Sequence, residues 1–362
     1  MRCTLHIGTE KTGTTTLQRL LRDNRDALYE RGVYVPRAFG PLEHHHLVSY
    51  GLRPGRFFSP LAREGANTPE EIKALRAKVR ADFKKELRPL QPDTNIVLSS
   101  ERCFSVLQRP REVERVVAML SKFCDDIKVV VYLRPQHDLC ASLYSTKLKN
   151  GFVDNDILPT DVSNMPHLDY HATLETWASV VGHDNIDVRV FDRDELLNGD
   201  IGADFFANVL NLNVGDFESV SNENESLNVE GQLFLLALNE HLPRFDGDRL
   251  NKKRGNIPKH ISGAASGKGM LPTQDTAQQF YAQFADSNEK VREQWFPDRP
   301  SLFNASFSKY PESAAAYELS QDEAFRIFAS MWESKHQEAE ELKADKARQR
   351  RQIKRLRKQS KQ

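Results

Sequence analysis

The strongest constraint on the fold lies at the start of the chain. A short apolar run, Cys3 to Ile7, leads into Gly8-Thr9-Glu10-Lys11-Thr12-Gly13-Thr14-Thr15. From Thr15 to Arg31 the leucines at 17, 20, 21 and 28 then recur at helical spacing. This reads as strand, glycine turn, helix. Two glycines five residues apart let the backbone curl so that successive N–H groups face one anion, and the helix start adds its dipole. Thr14, Thr15 and Thr16 offer hydroxyls to the same place.

Downstream, the pattern alternates. Val33 to Val35 and Asn95 to Leu98 read as short strands, and Ile186 to Phe191 as another. Lys128 to Leu133 is a β-branched run of the kind covered on both faces of a sheet. Helices are expected over 70–87, 112–123, 136–149 and 170–181, and loops over 41–65 and 255–273. Beyond residue 200 the chain turns mainly helical, with 276–295 and 321–357 as long segments. The expected class is α/β: a doubly wound, mostly parallel sheet flanked by helices, P-loop-like, with a helical C-terminal part. A single domain is expected over 1–342, with a core to about 215, and then a basic tail over 343–362. Gly8 to Thr16, Ser99 to Glu101 and Arg134 to Ser142 all begin at carboxyl ends of strands, where such sheets bind ligands.

Charge separates the tail from the body. The net charge is zero, yet 343–361 holds ten Lys/Arg against Asp345 alone, so the rest of the chain is net acidic. A body of that sign is no general nucleic-acid binder, and an anionic ligand needs a local site. The tail could tether the protein to an anionic membrane surface or polymer, or be a solvated helix end. No apolar stretch is long enough to cross a bilayer and the start does not read as a secretory signal, so the expected location is the cytoplasm, with membrane association through the tail as an option. The four cysteines form no CxxC pair and read as buried thiols.

The loop departs from a nucleoside-triphosphate loop in one respect. Thr14 follows the second glycine, where a lysine would reach β- and γ-phosphates, and the lysine stands inside the loop as Lys11. His6 to Gln18 resembles the 5′-phosphosulfate loop of the sulfotransferases that use 3′-phosphoadenosine-5′-phosphosulfate (PAPS), most closely their bacterial, carbohydrate-sulfating branch. Glu10 replaces the residue, often proline, that usually precedes the lysine. Val131 to Tyr144 resembles the family's 3′-phosphate segment, with Arg134 at a strand end and Ser142 eight residues on. The resemblance implies a PAPS-binding core over about 1–215 and an acceptor region over about 216–342. It assigns donor binding to Gly8, Lys11, Thr12, Gly13, Thr14, Thr15, Thr16, Arg134 and Ser142. Looser likeness continues through Asp169-Tyr170, Trp177, 187–191, 204–206, 224–227 and 286–296. The implied reaction is sulfuryl transfer from PAPS to a hydroxyl or amine, leaving 3′-phosphoadenosine-5′-phosphate (PAP), with a glycan as expected acceptor.

An acceptor hydroxyl must lose its proton as it attacks. Glu101, just past the 95–98 strand, is the first candidate base, with a salt bridge to Arg102 or Arg134 as the plainer reading. His45 and His46, in the run His44-His45-His46, are the second. A metal is not expected there, because sequence neighbours tend to point apart and no second cluster supports them. Arg53, Arg56, Phe57, Phe58, Lys252, Lys253 and Arg254 are candidate acceptor contacts. The competing readings are a kinase-like P-loop phosphotransferase and a non-catalytic nucleotide- or polymer-binding module.

Overall fold

β1 (Arg2–Gly8) is the middle strand of a five-stranded parallel sheet. The computed structural model describes the whole chain except residues 54–55, 57, 59, 62–63, 65, 67, 221–225, 247–248 and 360–362. Phe57, Asn224, Glu225 and the last three tail residues therefore lie outside the described residues. The other strands are β2 (Val33–Tyr34), β3 (Asn95–Ser99), β4 (Asp126–Leu133) and β5 (Ile186–Val190), in the order β2-β3-β1-β4-β5. His6 pairs with Ser99 on one side and with Val130 on the other. The chain first builds outward on the β3 side of β1, then crosses to the β4 side. The carboxyl end of β1 is thus the switch point, where open α/β sheets leave a crevice.

Burial explains the strands. Val129 to Leu133 of β4 are fully buried, as a β-branched run covered on both faces should be. The first helix, α1 (Thr14–Asp23), lays Leu17, Leu20 and Leu21 against Val97, Val130, Tyr132 and Phe205. Each such leucine contributes about 2 kcal/mol by leaving water. Asp204 accepts from Tyr132 Oη (2.7 Å), Arg189 Nε (2.9 Å) and Asn208 Nδ2 (2.8 Å), which ties β4 and β5 to the segment after β5.

The chain forms two compact units. The first is Met1–Leu139, Pro159–Asn222 and Ala277–Phe307, and holds the sheet. The second is Cys140–Leu158, Glu223–Thr276 and Ser308–Gln362. Its core gathers Tyr144, Leu148, Leu235, Ile257, Ile261 and Ile327, and it includes the long helix Gln321–Gln359. On that helix Phe325, Phe328 and Trp332 are exposed.

The structure departs from the sequence expectations at four places. The helix expected over 15–31 breaks at Asn24, whose side chain donates to Leu20 O and Glu218 O (3.0 Å each) and accepts from Glu218 N. Side-chain bonds of this kind compete with the helical ladder. The loop expected over 41–65 contains the helix His46–Gly51, too short for a periodic signal yet with Leu47 and Val48 buried. The loop expected over 255–273 contains Ile257–Ile261, and the helix expected over 276–295 is two, Gln274–Ala282 and Ala285–Trp295. All four cysteines are free and buried. Among the described residues no helix is long and apolar enough to cross a membrane.

His6 supplies a test of this core. Its Nδ1 lies 2.8 Å from Ser99 Oγ, and its buried Nε2 has no hydrogen-bond partner among the described residues. Burial pushes its pKa down from 6.5 to about 4, against the opposing pull of the Gly8 backbone. The neutral form is the folded form, so its contribution is complete above pH 6.5 and is lost as pH falls towards 4. The expected loss is about 3 kcal/mol over that window. Denaturant unfolding above and below pH 6.5 should show a shallower pH dependence for His6→Asn than for wild type; equal slopes would contradict the assignment.

Candidate active site at the carboxyl ends of the strands

The glycine loop is built from left-handed residues. Gly8 has φ 130°, Lys11 φ 62° and Gly13 φ 75°. A β-carbon on Gly8 would stand 3.0 Å from Glu101 O, and one on Gly13 would stand 2.8 Å from Ile201 Cγ2. Bare backbone at Gly8 therefore lets the end of β3 close over the loop. Gly13 caps α1 in the conformation that L-residues avoid. The positive φ values at 8, 11 and 13 curl the loop into the start of α1, a shape that can present backbone N–H groups to an anion.

Side chains fasten this loop to β4. Thr9 donates from both N (2.9 Å) and Oγ1 (3.0 Å) to Tyr132 O. Thr12 Oγ1 donates to Thr9 O at 2.7 Å and is fully buried, so this hydroxyl closes the loop and does not face a ligand. Arg134 Nη1 donates to Lys11 O at 2.8 Å, and Tyr170 Oη holds the carbonyl of Arg134 at 2.7 Å. Arg134 also lies 3.8 Å from Asp138 and over the Phe191 ring. Lys11, Thr15 and Thr16 are half-buried, and Thr14 is buried at the start of α1. Ser142 is half-buried on the helix Gln136–Lys149, in the stretch that belongs to the second unit.

Three glutamates converge at the rim. Glu101 follows β3, and its Oε2 accepts from Gln18 Nε2 of α1 at 2.6 Å. Arg102 pairs with Glu43 (3.5 Å) among the described ion pairs, so the salt bridge weighed for Glu101 is not the one formed. Glu43 also accepts from Ser100 Oγ at 3.3 Å. Burial, then the charge of Glu101, raises its pKa to about 7, against the pull of Arg102 and Ser100. Burial likewise raises Glu10, with Arg102 opposing and Glu101 adding to the rise. A carboxyl poised near neutrality can take up or give a proton under ordinary conditions. Sequence reading missed Glu43, although it adjoins the histidine run.

That run explains how Glu43 arrives. His44 Nδ1 accepts from Ser99 N (2.9 Å), its own N donates to Ser99 O (3.0 Å), and Nε2 lies 2.9 Å from Pro36 O. Burial pushes its pKa down to about 4. His44 is thus a structural hook on the end of β3. His45 and His46 do not point apart, as sequence adjacency suggested. Their rings lie 4.4 Å apart, and both Nε2 atoms reach Glu64. The reason is local: His45 is already in helical conformation as the N-cap of His46–Gly51, and backbone carbonyls hold both Nδ1 atoms.

Several candidate acceptor contacts serve the fold instead. Arg56 donates to Val106 O (2.7 Å) and pairs with buried Glu112, Phe58 is buried, and Arg254 is buried with Nη1 on Leu242 O (2.6 Å). Arg53, Lys252 and Lys253 are exposed. A surface depression lined by Met1, Lys84, Lys85, Leu87 and Phe123 lies at the amino end of β1, away from this rim.

No family model matches the sequence. An uncharacterised protein of Archaeoglobus fulgidus is 26% identical over 179 residues, which is 47% of this chain and 46% of that protein. The chain thus spans about half the length of the curated relative it matches. Among solved structures it is similar to a sulfotransferase from Alicyclobacillus acidocaldarius (16% identity, 81% of this chain and 94% of that chain, TM-score 0.43). It is also similar to the sulfotransferase domain of the Synechococcus PCC 7002 olefin synthase (15% identity, 79% and 94%, TM-score 0.34). Likenesses this distant carry no activity across, so the functional reading rests on the site itself.

The loop geometry makes one prediction. Gly13→Ala imposes a left-handed alanine and a clash with Ile201, at a cost of about 1–3 kcal/mol. Thermal melting should fall by several degrees; an unchanged melting temperature would mean that the loop relaxes freely.

Proposed function

We propose that the chain is a sulfotransferase that moves a sulfuryl group from PAPS to a hydroxyl or amine, with a glycan as the acceptor class. The observation that carries this reading is the placement of Lys11. It lies within the curled loop, its carbonyl held by Arg134, while the position after the second glycine holds Thr14. A lysine there can meet charge on the oxygen between a 5′-phosphate and a departing group, without the lysine–hydroxyl pair that serves a triphosphate and its magnesium. Rim carboxylates supply what an acceptor needs next.

On this reading the loop amides and the start of α1 hold the 5′-phosphate, and Arg134 faces the 3′-phosphate. The acceptor oxygen attacks sulfur, and its proton passes to a rim carboxylate. The new O–S bond forms as the S–O bond to the 5′-phosphate breaks. The electron pair leaves on the phosphate oxygen, beside Lys11. We assign the proton to Glu43 rather than to Glu101, His45 or His46. Glu101 is engaged by Gln18 at 2.6 Å, and both histidines face Glu64, whereas among the described residues the Glu43 carboxylate meets a long hydroxyl contact and Arg102.

Turnover of PAPS over a panel of sugar acceptors tests this. Lys11→Ala and Glu43→Gln should each lower the rate by about 100-fold or more, with PAP binding by Glu43→Gln unchanged. Unchanged turnover in Lys11→Ala would sink the sulfuryl reading. A silent Glu43→Gln beside an inactive Glu101→Gln would return the base to Glu101.

We also propose that the basic end of the long helix contacts an anionic partner. Chains lacking residues 343–362 should bind anionic vesicles or polymer more weakly at low salt; equal binding would leave the tail a solvated helix end.

A further inference from the structure

We propose that His45, His46 and Glu64 form a binding site for one divalent transition-metal ion, with zinc as the fitting case. The inference is independent of the sulfotransferase reading. His45 Nε2 lies 2.7 Å from Glu64 Oε1, and His46 Nε2 lies 2.8 Å from Glu64 Oε2. One donor atom from each residue falls within a sphere of contact in which all lie within 4.8 Å of one another. Two adjacent histidines rarely aim at one point, and here the backbone makes them do so. His45 Nδ1 meets Glu43 O and His46 Nδ1 meets Ala38 O, each at 3.3 Å.

Those outer contacts indicate the chemistry. A ring whose Nδ1–H donates to a backbone carbonyl presents the lone pair of Nε2, the usual way a metal-binding imidazole is oriented. At 2.7 and 2.8 Å each Nε2 can share its own proton with Glu64, and a metal ion would displace those protons and take both Nε2 lone pairs, leaving Nδ1–H on the backbone carbonyls. Two imidazole nitrogens and one carboxylate oxygen suit zinc and its transition-metal neighbours, whereas calcium and magnesium take oxygen sets. The side chains are 18%, 15% and 34% exposed, so a water can reach the fourth position of a tetrahedral ion.

The spacing between each imidazole and the carboxylate is close to what an ion needs. Tetrahedral donors on bonds of 2.0–2.1 Å stand about 3.3 Å apart. Glu64 must therefore withdraw by about 0.5 Å to admit the ion, within the reach of a partly exposed glutamate. The ion would join the start of the helix His46–Gly51 to residue 64, closing a loop of 18 residues. Such a clip stabilises the segment that directly follows Glu43.

Calorimetric titration of the full, untagged, chelator-stripped chain with zinc chloride tests the site, with calcium chloride as control. We expect one zinc per chain, at micromolar affinity or tighter, a raised melting temperature that EDTA reverses, and no calcium binding. Glu64→Gln should weaken zinc by about 10-fold, and His45→Ala/His46→Ala by about 100-fold or more. Glu64 is partly exposed, so its variant remains informative if the double variant unfolds. Absence of zinc binding in wild type, or zinc affinity equal in Glu64→Gln and wild type, would overturn the proposal.

Discussion

Everything at the candidate site depends on the parallel ladder that holds β1 between β3 and β4. The ladder brings three carboxyl ends to one rim: Gly8, Ser99 with Glu101, and Leu133 with Arg134. The missing side chain of Gly8 then lets the Glu101 backbone come within contact of the loop. Thr9 and Arg134 close the other side, since both reach across between the loop and β4. A loop fixed on two flanks holds its shape without help from a ligand, the preorganisation that anion binding and charge stabilisation would require.

The same rim sets carboxylates beside cations. Glu10, Glu43 and Glu101 crowd around Arg102, and Lys11 adds its pull on Glu10. Burial and mutual repulsion work against ionisation of Glu43 and Glu10, while Arg102 works for it. His44, hooked to both backbone groups of Ser99, supplies the mechanical part by carrying Glu43 to Ser100. A buried histidine whose pKa is lowered by burial thus positions a carboxyl whose pKa is raised by burial.

Much of this was legible in the sequence. The strand–glycine loop–helix start, the buried β4 run and Arg134 at its end are local signals, and the structure places them where periodicity and glycine spacing put them. The long-range parts were not legible. Asn24 breaks a helix by bonding to Glu218, nearly two hundred residues away, which no window reveals. Arg56, Phe58 and Arg254 resemble surface contacts in composition, yet each is drawn into packing or a backbone bond. Glu43 gave no signal of its own, because its position depends on His44 meeting β3. The convergence of His45 and His46 escaped because adjacency alone predicts divergence, and the short helix that reverses this is below the length at which periodicity speaks.

The central claim is that the loop is shaped for a 5′-phosphosulfate donor rather than a triphosphate. Calorimetric binding of PAP against ATP with Mg²⁺, on wild type and on Arg134→Ala, tests it most directly. The account predicts tight binding of PAP, weak binding of ATP–Mg²⁺, and loss of PAP binding in Arg134→Ala. Preference for ATP–Mg²⁺ would contradict it and point to phosphoryl transfer, and indifference to both would point to a module that binds neither.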